Sequence, residues 1–286
     1  MKLLVIGGKG FIGGAYCRKI VEYGHSIDVY DLPEDSIFDT EKLCYRIKDS
    51  DCVIHFAAMA NVEECIVKQD ETFETNVSGT YEIAKYCKDF NKKLIFISTC
   101  CVYGNSADDL ETEDKTRPNA REPYAVSKIA GEYIIQGMPN LNYIILRIGT
   151  VFGPGQRDAL FTHRCLSRIL NSETIYIDGD GEQTRQLVYI DDLINAICKA
   201  TNNSKTIINE IINLCGKEKT SAMDTMRVAA EVVGKIPIYE HRQQRYGQTF
   251  HENISIDKAK LLLHWEPSMS FKDGMKKTFE IDVRFK

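Results

Sequence analysis

The chain has 286 residues, enough for one large core or two unequal lobes. Apolar residues make up 43% of it and charged residues 27%, with a net charge of -5; this is ordinary globular composition and offers no basic face for nucleic acid. No stretch is apolar and long enough to span a bilayer, and Met1 runs straight into an apolar strand without the cleavage pattern of a secretory leader, so a cytoplasmic protein is expected.

In chain order, short β-rich apolar runs at 2–6, 27–31, 52–56, 93–98 and 143–148 alternate with amphipathic stretches. These predict helices over 11–23, 62–88 (broken near 68–71) and 123–136. Strand–helix alternation at this spacing implies right-handed βαβ units and a doubly wound parallel sheet. After Gly153-Pro154-Gly155 the pattern becomes irregular. A turn at Gly179-Asp180-Gly181 precedes a short apolar run, Leu187 to Ile190. Asp191-Asp192 then opens a helix through Ala200, and further helices are predicted over 220–233 and 257–263. No linker separates two halves. The expected organisation is a first domain over 1–152, with a return of the chain at about 186–202, and a smaller, interleaved C-terminal lobe over 153–286. The ten cysteines include no CxxC pair and no Cys/His spacing suited to zinc. They are expected to be reduced and mostly buried, and no metal is expected.

The first strand runs into Gly7-Gly8-Lys9-Gly10-Phe11-Ile12-Gly13 and then a helix. In a dinucleotide site of the Rossmann type, Gly7 permits the tight turn, Gly10 lets the pyrophosphate approach the backbone, and Gly13 lets the helix pack on the strand. The helix N-terminus then faces the phosphates. The second strand ends at Asp31, about 20 residues beyond the glycines. A carboxylate there hydrogen-bonds the ribose 2′-hydroxyl and repels a 2′-phosphate, which favours NAD over NADP.

Tyr124-Ala125-Val126-Ser127-Lys128 is a YxxxK spacing at the start of a helix, after Pro123. Positions i and i+4 share a helical face, so the phenol and the ammonium point to one cleft. A nearby cation favours the phenolate, and Lys128 together with the nicotinamide's positive charge would lower the Tyr124 pKa toward neutrality.

Ordered motifs then span nearly the whole chain. They are His55-Phe56-Ala57-Ala58, Asn76-Val77-Ser78-Gly79-Thr80, Ser98-Thr99-Cys100-Cys101-Val102-Tyr103-Gly104, Leu146-Arg147 through Gly153-Pro154, Asp178-Gly179-Asp180-Gly181 with Arg185 and Val188-Tyr189-Ile190-Asp191-Asp192, and Asp257-Lys258-Ala259-Lys260 with Trp265-Glu266-Pro267. This series resembles the NAD-dependent epimerase/dehydratase family, the extended short-chain dehydrogenase/reductases. The resemblance implies an NAD-dependent enzyme acting on a nucleotide-linked sugar, with Thr99 bonding the sugar O4, Tyr124 as acid/base and Lys128 holding the nicotinamide ribose. It also implies a cofactor site of Gly7, Gly10, Phe11, Ile12, Gly13, Asp31, Ser36, Ile37, Phe56, Ala57, Ala58 and Asn76 together with Tyr124 and Lys128. Thr99, Thr150, Arg185 and Arg245 are implied as substrate contacts, the two arginines gripping the diphosphate.

Two departures stand out. The family's usual Asn is Thr150 here, and the segment after Asp31 is short, so the adenine edge collapses to Ser36-Ile37-Phe38-Asp39. Cys100-Cys101 occupies the place where the family's dehydratases and decarboxylases carry acids. A 4-epimerase working through a transient 4-keto sugar is therefore the first expectation. A 4-reductase or 4-dehydrogenase remains open, as does a 3,5-epimerase/reductase using Cys101 as a further acid/base with a partner such as His163. A dehydratase or a non-catalytic NAD-binding regulator ranks lower. Finally, the helix over 123–136 carries Tyr124, Val126, Ile129, Ala130, Tyr133, Ile134 and Ile135, more than one buried stripe requires. With the helix over 76–87 it is expected to form a homodimer contact, as the resemblance also implies.

Overall fold

The computed structural model describes residues 1–105, 110–244, 247 and 249–286. The five predicted strands form as β1 (Lys2–Ile6), β2 (Ser26–Tyr30), β3 (Cys52–His55), β4 (Lys93–Thr99) and β5 (Tyr143–Ile148). With Glu210–Leu214 they make one six-stranded sheet, all parallel, in the order Glu210–Leu214, β5, β4, β3, β1, β2. β1, β3, β4 and β5 are buried on both faces, and alternate side chains feed two separate clusters. Leu3, Val5, Ile54, Ile95 and Leu146 pack with Tyr16, Ile20 and Leu193 on one side. Leu4, Ile6, Val53, Phe96 and Ile145 pack with Leu43, Ile83 and Ile135 on the other. Helices Phe11–Ile20 and Ile190–Asn202 therefore cover one face, and Thr40–Lys48, Gly79–Asp89 and Pro123–Gly137 the other. This is the doubly wound arrangement, in which ligands bind beyond the carboxyl ends of the strands.

The long 62–88 stretch is interrupted where the pattern predicted. Val62–Val67 ends at Lys68, Gln69–Phe73 follows, and a π-helical turn at Glu74–Ser78 leads into Gly79–Asp89. The helices over Asp257–Leu263 and Ala222–Val233 also form, the latter opened by a reciprocal cap between Ser221 and Asp224. Ile190–Asn202 packs against the first helix, and the sheet draws its last strand from further on, at Glu210–Leu214. The rest of the later chain builds small pairs: Val151–Phe152 with Val188–Tyr189, Thr184–Arg185 with Thr220–Ser221, and Thr174–Asp178 with Ile238–Arg242. Eight of the ten cysteines are buried, the other two half-buried, and none is paired. Among the described residues no helix is long and apolar enough to cross a membrane.

Candidate active site

The glycine turn has the geometry a dinucleotide needs. Gly7 has φ +84°, and a Cβ there would stand 2.4 Å from the Ala57 nitrogen. A Cβ on Gly13 would lie 2.2 Å from the Gly7 carbonyl, so the helix could not pack as closely on the strand. At Gly10 a Cβ would meet only the Gly7 carbonyl, at 3.5 Å; the space beyond is open. Gly10 is also the N-cap of the Phe11–Ile20 helix, with no side-chain cap and no acid in the first turn. The first N–H groups of that helix thus remain for an anion, with the helix dipole behind them. Phe11 and Ile12 occupy the first turn, half-buried. Asp31 follows β2 directly and accepts from the amides of Lys9 and Leu32. Ser36 and Ile37 lie on the short connection beyond it: the Ser36 carbonyl accepts from the Tyr30 hydroxyl, and Ile37 lies against Gly79. Phe56 and Ala57 both donate from their amides to the Ile6 carbonyl, so the end of β3, with Ala58, runs beside the glycine turn. These residues fit a dinucleotide.

Asn76 makes a different contribution. Its side chain accepts from the Met59 amide at 2.8 Å and donates to the Met59 carbonyl and to Ser127 Oγ, each at 2.9 Å. It is buried and ties the loop after β3 to the helix that carries Tyr124 and Lys128.

Thr99 ends β4; its hydroxyl accepts from the Cys101 amide at 3.2 Å and is one of the groups that act on the Tyr124 phenol. Tyr124 opens the Pro123–Gly137 helix, whose N-cap is Glu122. The Glu122 carboxylate accepts from the amides of Tyr124 and Ala125, both at 2.8 Å. Lys128, one turn on, is buried with its ammonium 4.1 Å from the centre of the Phe96 ring; no hydrogen-bond partner reaches it among the described residues. Burial holds the Lys128 amine down to about 7, with Glu132 opposing. Burial pushes the Tyr124 phenol up, Cys101 and Glu122 add to this, and Arg157 and Thr99 oppose it. In the chain by itself desolvation outweighs the nearby charges; the expected lowering rests on Lys128 together with the nicotinamide's charge.

A buried ion pair fixes these elements against one another. Arg147 on β5 donates from Nη2 to Glu132 Oε2 at 2.6 Å and from Nε to Oε1 at 3.0 Å. Glu132 lies one turn beyond Lys128 and also accepts from Ser98, the neighbour of Thr99. The Arg147 guanidinium packs over Tyr103, whose hydroxyl donates to Asn213 at 2.9 Å.

A cavity of about 270 Å³ opens between the end of the sheet and the later chain, reached from Thr99 and Tyr124 through their near neighbours Cys101 and Glu122. Cys101, Glu122, Thr150, Arg157 and Arg185 line it. Burial and Glu252 push the Cys101 thiol up to about 11, against weaker pulls from Thr99 and Arg185. Arg185 lies 3.4 Å from buried Glu252 and donates to the Thr184 carbonyl. Arg245 lies outside the described residues. His163 turns away from the cavity: its ring packs 5.0 Å from Phe285, and burial holds its pKa down. Glu122, Arg157 and Glu252 were not foreseen from the sequence. Only Glu122, directly before Pro-Tyr, stood where an N-cap signal could have been read.

The NAD dependent epimerase/dehydratase family model matches residues 3–215. A UDP-glucuronate 4-epimerase of Thermodesulfobacterium geofontis is 30% identical, covering 96% of this chain and 94% of that one. A UDP-N-acetyl-alpha-D-glucosaminuronate decarboxylase of Bacillus cytotoxicus is 25% identical over 98% of this chain and 97% of its own. Among solved structures, UDP-glucuronic acid 4-epimerase from Bacillus cereus, in complex with UDP-glucuronic acid and NAD, superposes with a TM-score of 0.92 at 30% identity, covering 98% of each chain.

Proposed function

The chain belongs to the NAD-dependent epimerase/dehydratase family and uses NAD, and on that premise we propose that it is a nucleotide-sugar 4-epimerase acting through a transient 4-keto sugar. The observation that carries this reading is the turn after β4, where Thr99 acts on the Tyr124 phenol and is followed by two thiols with no carboxylate. Bound NAD supplies the acceptor and donor of the C4 hydride. Tyr124, through Thr99, takes the proton from the sugar O4 and later returns it. The Lys128 ammonium has no hydrogen-bond partner among the described residues, only the Phe96 ring face, and is the group to hold the nicotinamide ribose. The cofactor's positive charge offsets the burial that raises the Tyr124 phenol. Residues 1–152 with the returning chain hold the cofactor, and 153–286 supply most of the sugar-nucleotide cavity. Arg185 and Arg245 take the diphosphate, with Thr150 at the place of a further diphosphate contact.

Elimination of water needs a group to protonate the departing hydroxyl and another to take a carbon-bound proton. Decarboxylation and 3,5-epimerisation likewise need acid/base groups at the sugar ring. Here the Cys101 thiol stays protonated at neutral pH, His163 faces Phe285, and the Glu122 carboxylate accepts from two backbone amides.

The test is proton NMR of UDP-glucose and of UDP-glucuronate incubated with the protein and NAD in heavy water. The expected result is the C4 epimer, without deuterium at C3 or C5 and without net consumption of cofactor. Loss of water or carbon dioxide, exchange at C3 or C5, or stoichiometric use of NADH would each overturn the reading.

A further inference from the structure

The glycine turn carries a charge that phosphate binding at the helix N-terminus does not require. Lys9 sits between Gly8 and Gly10, and its amide donates to Asp31 Oδ2 at 2.7 Å. The other Asp31 oxygen accepts from the Leu32 amide at 2.8 Å. A carboxylate at this place holds a ribose hydroxyl and repels a 2′-phosphate, whereas a cation beside it accommodates the 2′-phosphate. A lysine ammonium is a compact point charge on a flexible stem, well suited to phosphate. Asp31 and Lys9 are backbone-to-side-chain neighbours with opposite preferences for the cofactor.

The Lys9 ammonium is turned onto the segment after β2. It pairs with the Glu34 carboxylate and donates to the Leu32 carbonyl at 3.3 Å. The other cations of this edge also have carboxylate partners: Lys42 pairs with Asp35, and Arg46 lies 3.1 Å from Asp28. We infer that Glu34 is a specificity-determining residue for the cofactor: by occupying Lys9 it removes the cation that would welcome a 2′-phosphate, and leaves Asp31 to decide for NAD. The inference concerns the cofactor edge alone and does not depend on which sugar reaction the enzyme performs.

The side chains of Lys9 and Glu34 are 50% and 64% exposed, so the pair is solvent-screened and its effect is modest. Isothermal titration of the whole protein with NAD and with NADP, at low salt, measures it. Glu34→Gln should raise the ratio of NADP to NAD affinity by about three- to tenfold. The same change made on Lys9→Ala should leave that ratio within about twofold of the Lys9→Ala protein, because the freed cation is missing. Near ~1 M salt, where the screening length falls to about 3 Å, the gain should disappear. An unchanged ratio in Glu34→Gln would overturn the inference. So would an equal gain with and without Lys9, which would mean that Glu34 acts only by its own negative charge.

Discussion

Burial pushes both residues of the YxxxK pair toward their neutral forms, the Tyr124 phenol up and the Lys128 amine down. Lys128 has an ordinary pKa of 10.5 and is brought down to about 7 in the folded chain. Between those values the unfolded state binds more protons than the folded one, so stability at this site rises with pH across the window from 7 to 10.5. Replacing the amine by a methionine of similar length removes the penalty. Lys128→Met should stabilise the cofactor-free chain by a few kcal/mol, at most about 5, at and below pH ~7, the gain fading as pH approaches ~10.5. Urea unfolding at pH values across that window checks both the sign and the fading; a gain independent of pH would show that charge is not its origin. The same substitution should weaken NAD binding. Tyr124→Phe is the complementary change. NAD binding should persist while turnover on any verified sugar nucleotide falls by about 10²-fold or more, the usual scale for losing an acid/base. Near-normal turnover would remove Tyr124 from the mechanism.

At the level of elements, the Arg147–Glu132 pair decides how β4, β5 and the Pro123–Gly137 helix meet. Both side chains are buried, at 3% and 0% exposure, so removing one partner strands a charge. Arg147→Met should cost about 3–5 kcal/mol, and Arg147→Met with Glu132→Leu should recover much of that. Denaturant unfolding of the single and double variants measures both; a single-variant cost below ~1 kcal/mol would contradict the argument. The elements that hold this pair were legible in the sequence. β1 to β5 are apolar runs of the right length, and the helices between them bury one stripe each. The missed elements have weaker signatures. Thr40–Lys48 buries only Leu43 and Ile47, and its Asp39 cap is one of several acids in that stretch. Glu210–Leu214 is five residues with Asn213 as the fourth, and that polar side chain is explained only by Tyr103 and Ser255 reaching it from distant segments. Ile238–Arg242 is exposed along its length and has no apolar period to read. Of the site, the glycine turn and YxxxK could be read locally. Glu252 and Arg157 meet Arg185 and Ala60 across 67 and 97 positions of sequence, a pairing that no local pattern encodes.

For the whole molecule, the neighbouring helices near the cofactor half leave an apolar surface uncovered. Phe73 and Tyr81 are exposed and Val77 half-buried, at helical spacing; Val126 and Tyr133 are exposed on the Pro123–Gly137 helix, with Ala130 between them. Ile129 and Ile135 point inward, so the apolar residues of this helix divide into a core stripe and a second stripe without a partner in the described chain. A twofold homodimer through this surface is the expected state. Light scattering should give about twice the 32.5 kDa of the chain at micromolar concentration. Tyr81→Lys with Tyr133→Lys should reduce it to the single-chain mass. A wild-type mass near 32.5 kDa would defeat the dimer.

β2 closes one side of the sheet, with β1 as its only strand neighbour in the described chain, and Asp31 follows its last residue. In the proposed placement of the cofactor its adenosine end meets the strand most prone to fray, while Thr99 ends a strand in the sheet's interior. Native-state hydrogen exchange should report this gradient. In the cofactor-free protein the amides of Ser26–Tyr30 should exchange well before those of Lys93–Thr99. NAD should slow the β2 amides strongly and the β4 amides little, so that loading the enzyme completes the outermost layer of its own sheet.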